Sequence, residues 1–349
     1  MQKDGEIKRT PRWKIAIPIV IGLGVVTYML WNEANGEVFE NLKFTFNSVI
    51  FIILAFVFMA GRDIGYIIRI RLFSDALLSW RQAFRVIMLW EFTSAITPST
   101  VGGSAVATIF LHKEGISIGK SAALVMLTAF FDELIFVLAF PILVLIVGNG
   151  VIFGVESAQA VMSLVWGGWA LKLGLVLLLS YGLFFRPRGL KYLIIKLFKL
   201  KFLRKWRSKA IEAGDDIVLS AREINGYKPA FWIKAFLATF LSWSSRFLVA
   251  NMIFEAFFSI SDHIVLLARQ AAMWVMMIIS PTPGGSGFAE YIFQSFLSDI
   301  APVDTSTQVG TVLLIALMWR MVTYYPYLFI GAFILPKWLS QFNSKKSTP

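Results

Sequence analysis

The groups in this sequence with most chemistry to offer are charges embedded in apolar surroundings. Asp132 and Glu133 lie in TAFFDELIFVLAF, Arg246 and Glu255 in SWSSRFLVANMIFEAFF, and Arg269, Glu290 and Arg320 beside or after a later apolar run. Each charge held near the centre of a bilayer costs about 2.5 to 3.5 kcal/mol on insertion scales. A chain that carries several must pair them or line a hydrated path with them. A path of both signs can grip a polar headgroup, whereas pairs alone lock helix packing; both uses stay open. Lys172 either snorkels to an interface or lines the bundle interior. Acid–base chemistry is poorly served, because adjacent positions such as Asp132 and Glu133 point about 100° apart on a helix. No HExxH, no Ser/His/Asp arrangement, no acidic metal cluster and no nucleotide-binding motif is present, and cysteine is absent. His112 and His263 each have charged or polar neighbours and read as interfacial side chains. No catalytic residue, metal or cofactor is therefore expected.

Two interruptions stand among these charges. One is Thr97-Pro98-Ser99-Thr100-Val101-Gly102-Gly103-Ser104, the other Ser280-Pro281-Thr282-Pro283-Gly284-Gly285-Ser286. Proline, a hydroxyl residue, two glycines and a serine recur in the same order. Each break follows a span-associated arginine, Arg62 for the first and Arg246 for the second. Non-helical backbone at membrane depth survives only when buried in protein or facing a watery cavity. A helix that restarts there offers free N–H groups and partial positive charge to an anion such as a phosphate. Pro98, Gly102, Gly103, Ser104, Pro281, Pro283, Gly284, Gly285 and Ser286 therefore join Asp132, Glu133, Arg246, Arg269, Glu290 and Arg320 as candidate substrate-binding residues. Thr100 and Thr282 add hydroxyl donors.

The elements that must hold these residues are transmembrane helices. The chain is 57% hydrophobic with a mean hydropathy of +0.71, which no soluble domain of 349 residues matches, and several runs can cross about 30 Å of hydrocarbon. A net charge of +12 points to loops on an anionic lipid surface and away from nucleic acid. The basic start and the run Ile15 to Trp31, which ends without a small-residue cleavage site, predict a retained first span with the N-terminus inside. Further spans are expected at about 44–60, 121–147, 161–185, 230–260 and 308–335, making six crossings with both termini cytoplasmic. Arg62, Arg69, Arg71, Arg81 and Arg85 are expected in a cytoplasmic loop. The segments 86–111 and 263–297 are too short on each side of their breaks to cross. They predict one hairpin entering from each side, an inverted-topology repeat and a marker of a midplane transport site. The expected fold is thus an all-α polytopic bundle forming a single membrane domain. Its parts are a cytoplasmic N-terminus (1–12), repeat half one (44–147), a basic cytoplasmic segment (186–229), repeat half two (230–335) and a cytoplasmic tail (336–349). Between 186 and 209 ten basic residues occur without an acid, interleaved with apolar ones at helical spacing, which suits an anionic membrane surface or a simple positive-inside anchor.

PTPGGSGFAE (Pro281 to Glu290) resembles the P-x-P-G-G-x-G-x-x-E signature of the lysylphosphatidylglycerol synthase transmembrane-region, or flippase-domain, family. TPSTVGGSA with HKEGISIGKSAALVMLTAFFDELIF is similar to that family's first motif, and the resemblance covers about residues 13 to 335. After Gly102-Gly103 stand Ser104 and Ala105-Val106-Ala107, where many members carry Glu and then Arg. The resemblance implies a membrane protein that translocates or binds lipid headgroups. The expected function is a flippase-like transporter of a phospholipid or lipid-linked anionic substrate in the bacterial inner membrane. A lipid-modifying intramembrane transferase and a non-transporting scaffold remain alternatives.

Overall fold

A computed structural model describes residues 27–28, 31, 36–97, 100–153, 159–197, 199, 207–280 and 282–344. The chain is an all-α polytopic membrane protein with no strand among the described residues. In chain order the helices are α1 (Gly36–Glu40), α2 (Phe46–Phe73), α3 (Trp80–Ile96), α4 (Thr100–Lys113), α5 (Ile118–Val147), α6 (Asn149–Phe153) and α7 (Gln159–Ser180, continued by a π turn to Phe185). They continue with α8 (Pro187–Leu197), α9 (Arg207–Asn225), α10 (Pro229–Glu255), α11 (His263–Met276), α12 (Phe288–Leu297), α13 (Thr305–Thr323) and α14 (Tyr325–Ser344). Five spans are long and apolar enough to cross a membrane: α2, α5, α7 with its π turn, α10, and α13 running into α14. The expected first span, Ile15 to Trp31, lies outside the described residues apart from 27, 28 and 31.

The helix starts follow local chemistry. Thr45 and Ser48 form a capping box at α2, and Ser79 and Gln82 form another at α3. The Ser117 hydroxyl accepts from Lys120 N at α5, Asp262 caps α11, and Pro229 opens α10 where its missing N–H costs nothing. Side-chain ties then sort the ends onto two faces. On one face Asp75, just after α2, accepts from Lys120 at the start of α5 (3.3 Å) and from the Tyr227 hydroxyl just before α10 (2.6 Å). Burial and that carboxylate together push the Tyr227 phenol's pKa up. Asn225 donates to the carbonyls of Leu183 and Phe184 at the end of α7. On the opposite face Asn41 donates to Thr307 and Thr311 near the start of α13. There Arg269 joins the Val151 carbonyl in α6 to the Phe296 carbonyl and Asp299 beyond α12.

Each short helix pair is tied end to end: Arg85 of α3 meets Glu114, just beyond α4, at 3.0 Å, and Arg269 of α11 bonds Asp299, beyond α12. In chain order α2 and α5 flank the pair α3/α4, and α10 and α13 flank the pair α11/α12.

Two expectations need correction. The span expected to end near 60 continues to Phe73, so Arg62 and Arg69 sit inside α2, at 2% and 3% exposure, rather than in a loop. Hydropathy falls at these arginines because they pair with carboxylates, not because the chain reaches water. Arg81 and Arg85 likewise belong to α3, which starts at Trp80, whose ring lies 4.0 Å from the Arg71 guanidinium carbon. The last span runs over Thr305–Ser340, covering the expected 308–335, with a helix break at Tyr324 (φ −129°, ψ −58°), two residues before Pro326, whose ring cannot continue the helical hydrogen bonding.

At the centre, α2 and α10 cross closely. Gly61 and Gly65 form a small-xxx-small face on α2 against Ala238, Ser242 and Ser245. A Cβ on Gly65 would lie 2.2 Å from Ser242 Oγ and 2.8 Å from the Ala238 carbonyl oxygen. The Ser242 hydroxyl donates to the Arg62 carbonyl at 3.0 Å across the crossing. Gly65→Val should push the helices apart and destabilise the protein by about 1 to 3 kcal/mol. A lowered midpoint in a detergent thermal melt checks this, and an unchanged melt would contradict so close a crossing.

Candidate functional site

Arg62, Tyr66 and Arg69 follow one another at i, i+4 and i+7 along one face of α2. They face a cavity of about 490 Å³ lined by α2, α3, α4, α5, α7, α10, α11, the second break and the α13/α14 junction. Its span-borne lining residues come from mid-depth and from the half of the bundle nearer α8 and α9: Arg62 to Ile70 of α2, Val125 to Phe136 of α5, Lys172 to Leu179 of α7. The opposite half is packed by Phe254 and Phe293, whose stacked rings have centroids 6.0 Å apart.

The cavity's cations are held differently. Arg69 binds both oxygens of Asp132 (2.6 and 3.0 Å), and Asp132 also accepts from the Trp243 indole at 2.9 Å. Lys172 meets Glu133 at 2.7 Å and lies over Phe136. Arg62 is shared between Asp63 (2.8 Å) and Glu91 (2.6 Å). The Tyr327 hydroxyl donates to Asp63 as well. Arg320 donates to Glu290 at 2.8 Å and to the Gly284 carbonyl at 3.0 Å. Arg246 is the exception. Among the described residues no carboxylate approaches it within 4.0 Å; it lies between the rings of Trp274 (4.3 Å) and Trp243 (5.7 Å). Its Nε–H is buried without an acceptor, as are the Arg62 Nε and the hydroxyls of Thr128, Ser280 and Thr282, all on residues that line the same cavity. Buried donors of this kind are normally satisfied, so their convergence marks a place for water or an acceptor-rich ligand.

Tyr324 joins the second break to the end of α3. The Tyr324 hydroxyl donates to the Ala95 carbonyl (3.1 Å), just before the first break, and accepts from Ser286 (3.3 Å) in the second. Gly284 has φ +59°, and a Cβ there would fall 2.5 Å from the Tyr324 ring and 2.6 Å from the Ala95 oxygen. Glycine is required on both counts.

Of the sequence-predicted residues, Ser104, Asp132, Glu133, Arg246, Gly284, Gly285 and Arg320 line the cavity. Gly103 instead packs against α3, where a Cβ would meet Ser94 Oγ at 2.0 Å. Gly102 is in the first turn of α4, while Pro98 and Pro281 lie outside the described residues. Pro283 and Ser286 belong to the second break behind the wall, and Arg269 is remote from the cavity, clamping helix ends. Glu290, 2% exposed, fills the helix start that was expected to face an anion, since its Oε2 accepts from Gly287 N at 2.8 Å. A glutamate at the third helical position is a natural cap, so that end of α12 is satisfied from within. Sequence reading missed Arg62, Arg69, Glu91 and Tyr327 as cavity residues. The i, i+4, i+7 spacing of Arg62, Tyr66 and Arg69 is the signal that could have found two of them.

Comparison with known proteins also points to a membrane protein. The chain matches the family described as "Lysylphosphatidylglycerol synthase TM region" over residues 15–331. It is similar to a UPF0104 membrane protein from Archaeoglobus fulgidus, 25% identical over 295 residues that make up 80% of this chain and 84% of the relative. No solved structure matches.

Removing one partner of a buried ion pair costs about 3 to 5 kcal/mol, whereas an apolar replacement of both is often neutral. Glu290→Ala should therefore strongly lower the melting midpoint, and the double variant Glu290→Met/Arg320→Met should recover much of the loss. A double variant no better than the single would show that the pair does more than hold the second break.

Proposed function

Since the chain belongs to the lysylphosphatidylglycerol synthase transmembrane-region family, we propose that it binds the anionic headgroup of a phospholipid or lipid-linked substrate in this cavity and carries it across the cell membrane. The observation that carries the reading is Arg246, a guanidinium at membrane depth without a counter-ion. An unpaired charge in such a place is costly, and a phosphate removes that cost while its oxygens accept from the orphaned Nε–H groups and hydroxyls around it. The aromatic rings beside Arg246 hold it in place without neutralising it.

Helix α8 and the start of α9, the described parts of the basic segment, sit on the face toward which the cavity extends, and the positive-inside bias makes that face cytoplasmic. In this reading both termini are cytoplasmic, the segment rests on anionic lipid, and the headgroup enters from the inner leaflet. Pairs α3/α4 and α11/α12 are then re-entrant hairpins of an inverted repeat, entering from opposite sides and meeting at Tyr324. Movement of a headgroup requires that contact to open. The role proposed is transport and not lipid synthesis.

Reconstituted in liposomes, the protein should move a fluorescent phosphatidylglycerol between leaflets, read as loss of fluorescence to an external reductant. Losing one charged hydrogen-bond donor removes about 1.5 to 3 kcal/mol, so Arg246→Ala should reduce the rate about tenfold or more, with Arg246→Lys between the two. A cooperative thermal melt of the variant in detergent shows that the loss is one of transport and not of folding. Unchanged transport in Arg246→Ala would contradict the assignment.

A further inference from the structure

We infer that the anion enters this cavity together with a proton, taken up by the Glu91 carboxylate; the inference rests on the anion-binding reading above. It begins from the charge balance around the cavity. Arg69 with Asp132, Lys172 with Glu133 and Arg320 with Glu290 are one-to-one pairs. What remains is Arg62 and Arg246 against Asp63 and Glu91, so the empty cavity is neutral when all are ionised. A monoanionic phosphodiester at Arg246 brings one negative charge in excess. In a low-dielectric interior an uncompensated charge is far more costly than in water, and the cheapest compensation is to neutralise a carboxylate.

The geometry selects which one. Asp63 is well satisfied, by Arg62 at 2.8 Å and by the Tyr327 hydroxyl on both oxygens at 2.9 and 2.8 Å. Glu91 meets Arg62 through Oε1 at 2.6 Å, and among the described residues no hydrogen bond is seen to its Oε2. Its side chain is 20% exposed on the cavity wall. The charged and titratable groups facing the Glu91 cluster are Arg62 and Tyr66 from α2, Arg246 from α10 and Tyr327 from α14, with the Arg69–Asp132 pair beyond Tyr66. An arriving anion draws Arg246 toward itself and leaves Glu91 and Asp63 sharing one guanidinium. A proton from cavity water then binds Glu91 Oε2, converting the carboxylate to the neutral acid. When the anion departs, the proton returns to water on that side. Anion and proton move together, the cycle carries no net charge, and a pH gradient can drive transport without nucleotide hydrolysis.

Calorimetric titration of the detergent-solubilised protein, in two buffers of different ionisation enthalpy at one pH, counts the protons bound per ligand. With dioctanoyl phosphatidylglycerol the expected result is about one proton taken up per anion, and affinity falling about tenfold per pH unit once Glu91 is ionised in the free protein. Dioctanoyl phosphatidylcholine, neutral overall, should take up none. Dimethyl phosphate carries the same charge without tails. Binding at least tenfold weaker than the lipid assigns the site to a lipid headgroup, equal binding assigns it to a soluble phosphodiester, and proton uptake in either case supports the coupling. Glu91→Gln should bind the lipid with no proton uptake and no pH slope. Lipid binding without proton uptake in the wild type, or uptake retained in Glu91→Gln, overturns the coupling and leaves the anion site standing. No binding of any anion overturns both.

Discussion

Within hydrocarbon, a charge or backbone group that cannot reach water must find its partner inside the protein, and the whole bundle is arranged around that constraint. Each buried pair is also a long-range tie. Arg69 and Asp132 join α2 to α5, Lys172 and Glu133 join α7 to α5, and Arg320 and Glu290 join α13 to α12. Such pairs are weak evidence of stability when compared with apolar packing, because desolvation offsets much of the attraction. They do forbid alternative registers, since a helix turned or shifted by one residue would strand both charges. Among the described residues lining the cavity Arg246 is the cation that breaks the pattern, and it does so where four other buried donors also lack acceptors.

The constraint explains the breaks as well. A chain can abandon its helix at this depth because the two interrupted segments satisfy one another: the Tyr324 hydroxyl reaches Ala95, Ser286 reaches Tyr324, Arg320 holds the Gly284 carbonyl, and Glu290 caps the helix that restarts. Gly284 lets the second segment approach closely enough. The meeting point is thus narrow and polar, dependent on one phenol and one glycine. The ends of the bundle are tied separately, through Asp75 on one face and Arg269 on the other. A transport cycle would have to exchange contacts at the centre while these outer ties set how far each pair can swing.

Much of this was legible in the sequence, for identifiable reasons. Proline and glycine inside apolar runs have few meanings, so both interruptions were visible, and the paired order suggested that they belong together. Asp132, Glu133, Arg246, Glu290 and Arg320 stood out because their neighbours are apolar. Arg62 and Arg69 did not, because a buried arginine and a cytoplasmic anchor are written with the same letter, and a drop in hydropathy reads as the end of a span. Glu91 lay inside the expected stretch 86–111 but was not singled out, because its contact with Arg62 of another helix is not written in its neighbours. Nor can spacing reveal that Asp132 pairs with Arg69 from another helix, or that Glu290 turns inward as a cap; those are tertiary facts. The distinction between an open helix start and an occupied one is of the same kind.

The central claim, a hydrated chamber walled by both breaks, is tested most directly by the accessibility of single cysteines, which the cysteine-free chain makes clean. In membranes, Ser104→Cys and Thr282→Cys should both react with a small charged thiol reagent applied from the side bearing α8 and α9, and excess anionic short-chain lipid should slow both reactions. Ser121→Cys, buried in α5 away from the cavity, should stay unlabelled. Two unreactive cavity positions, or reaction rates indifferent to the lipid, would contradict the account.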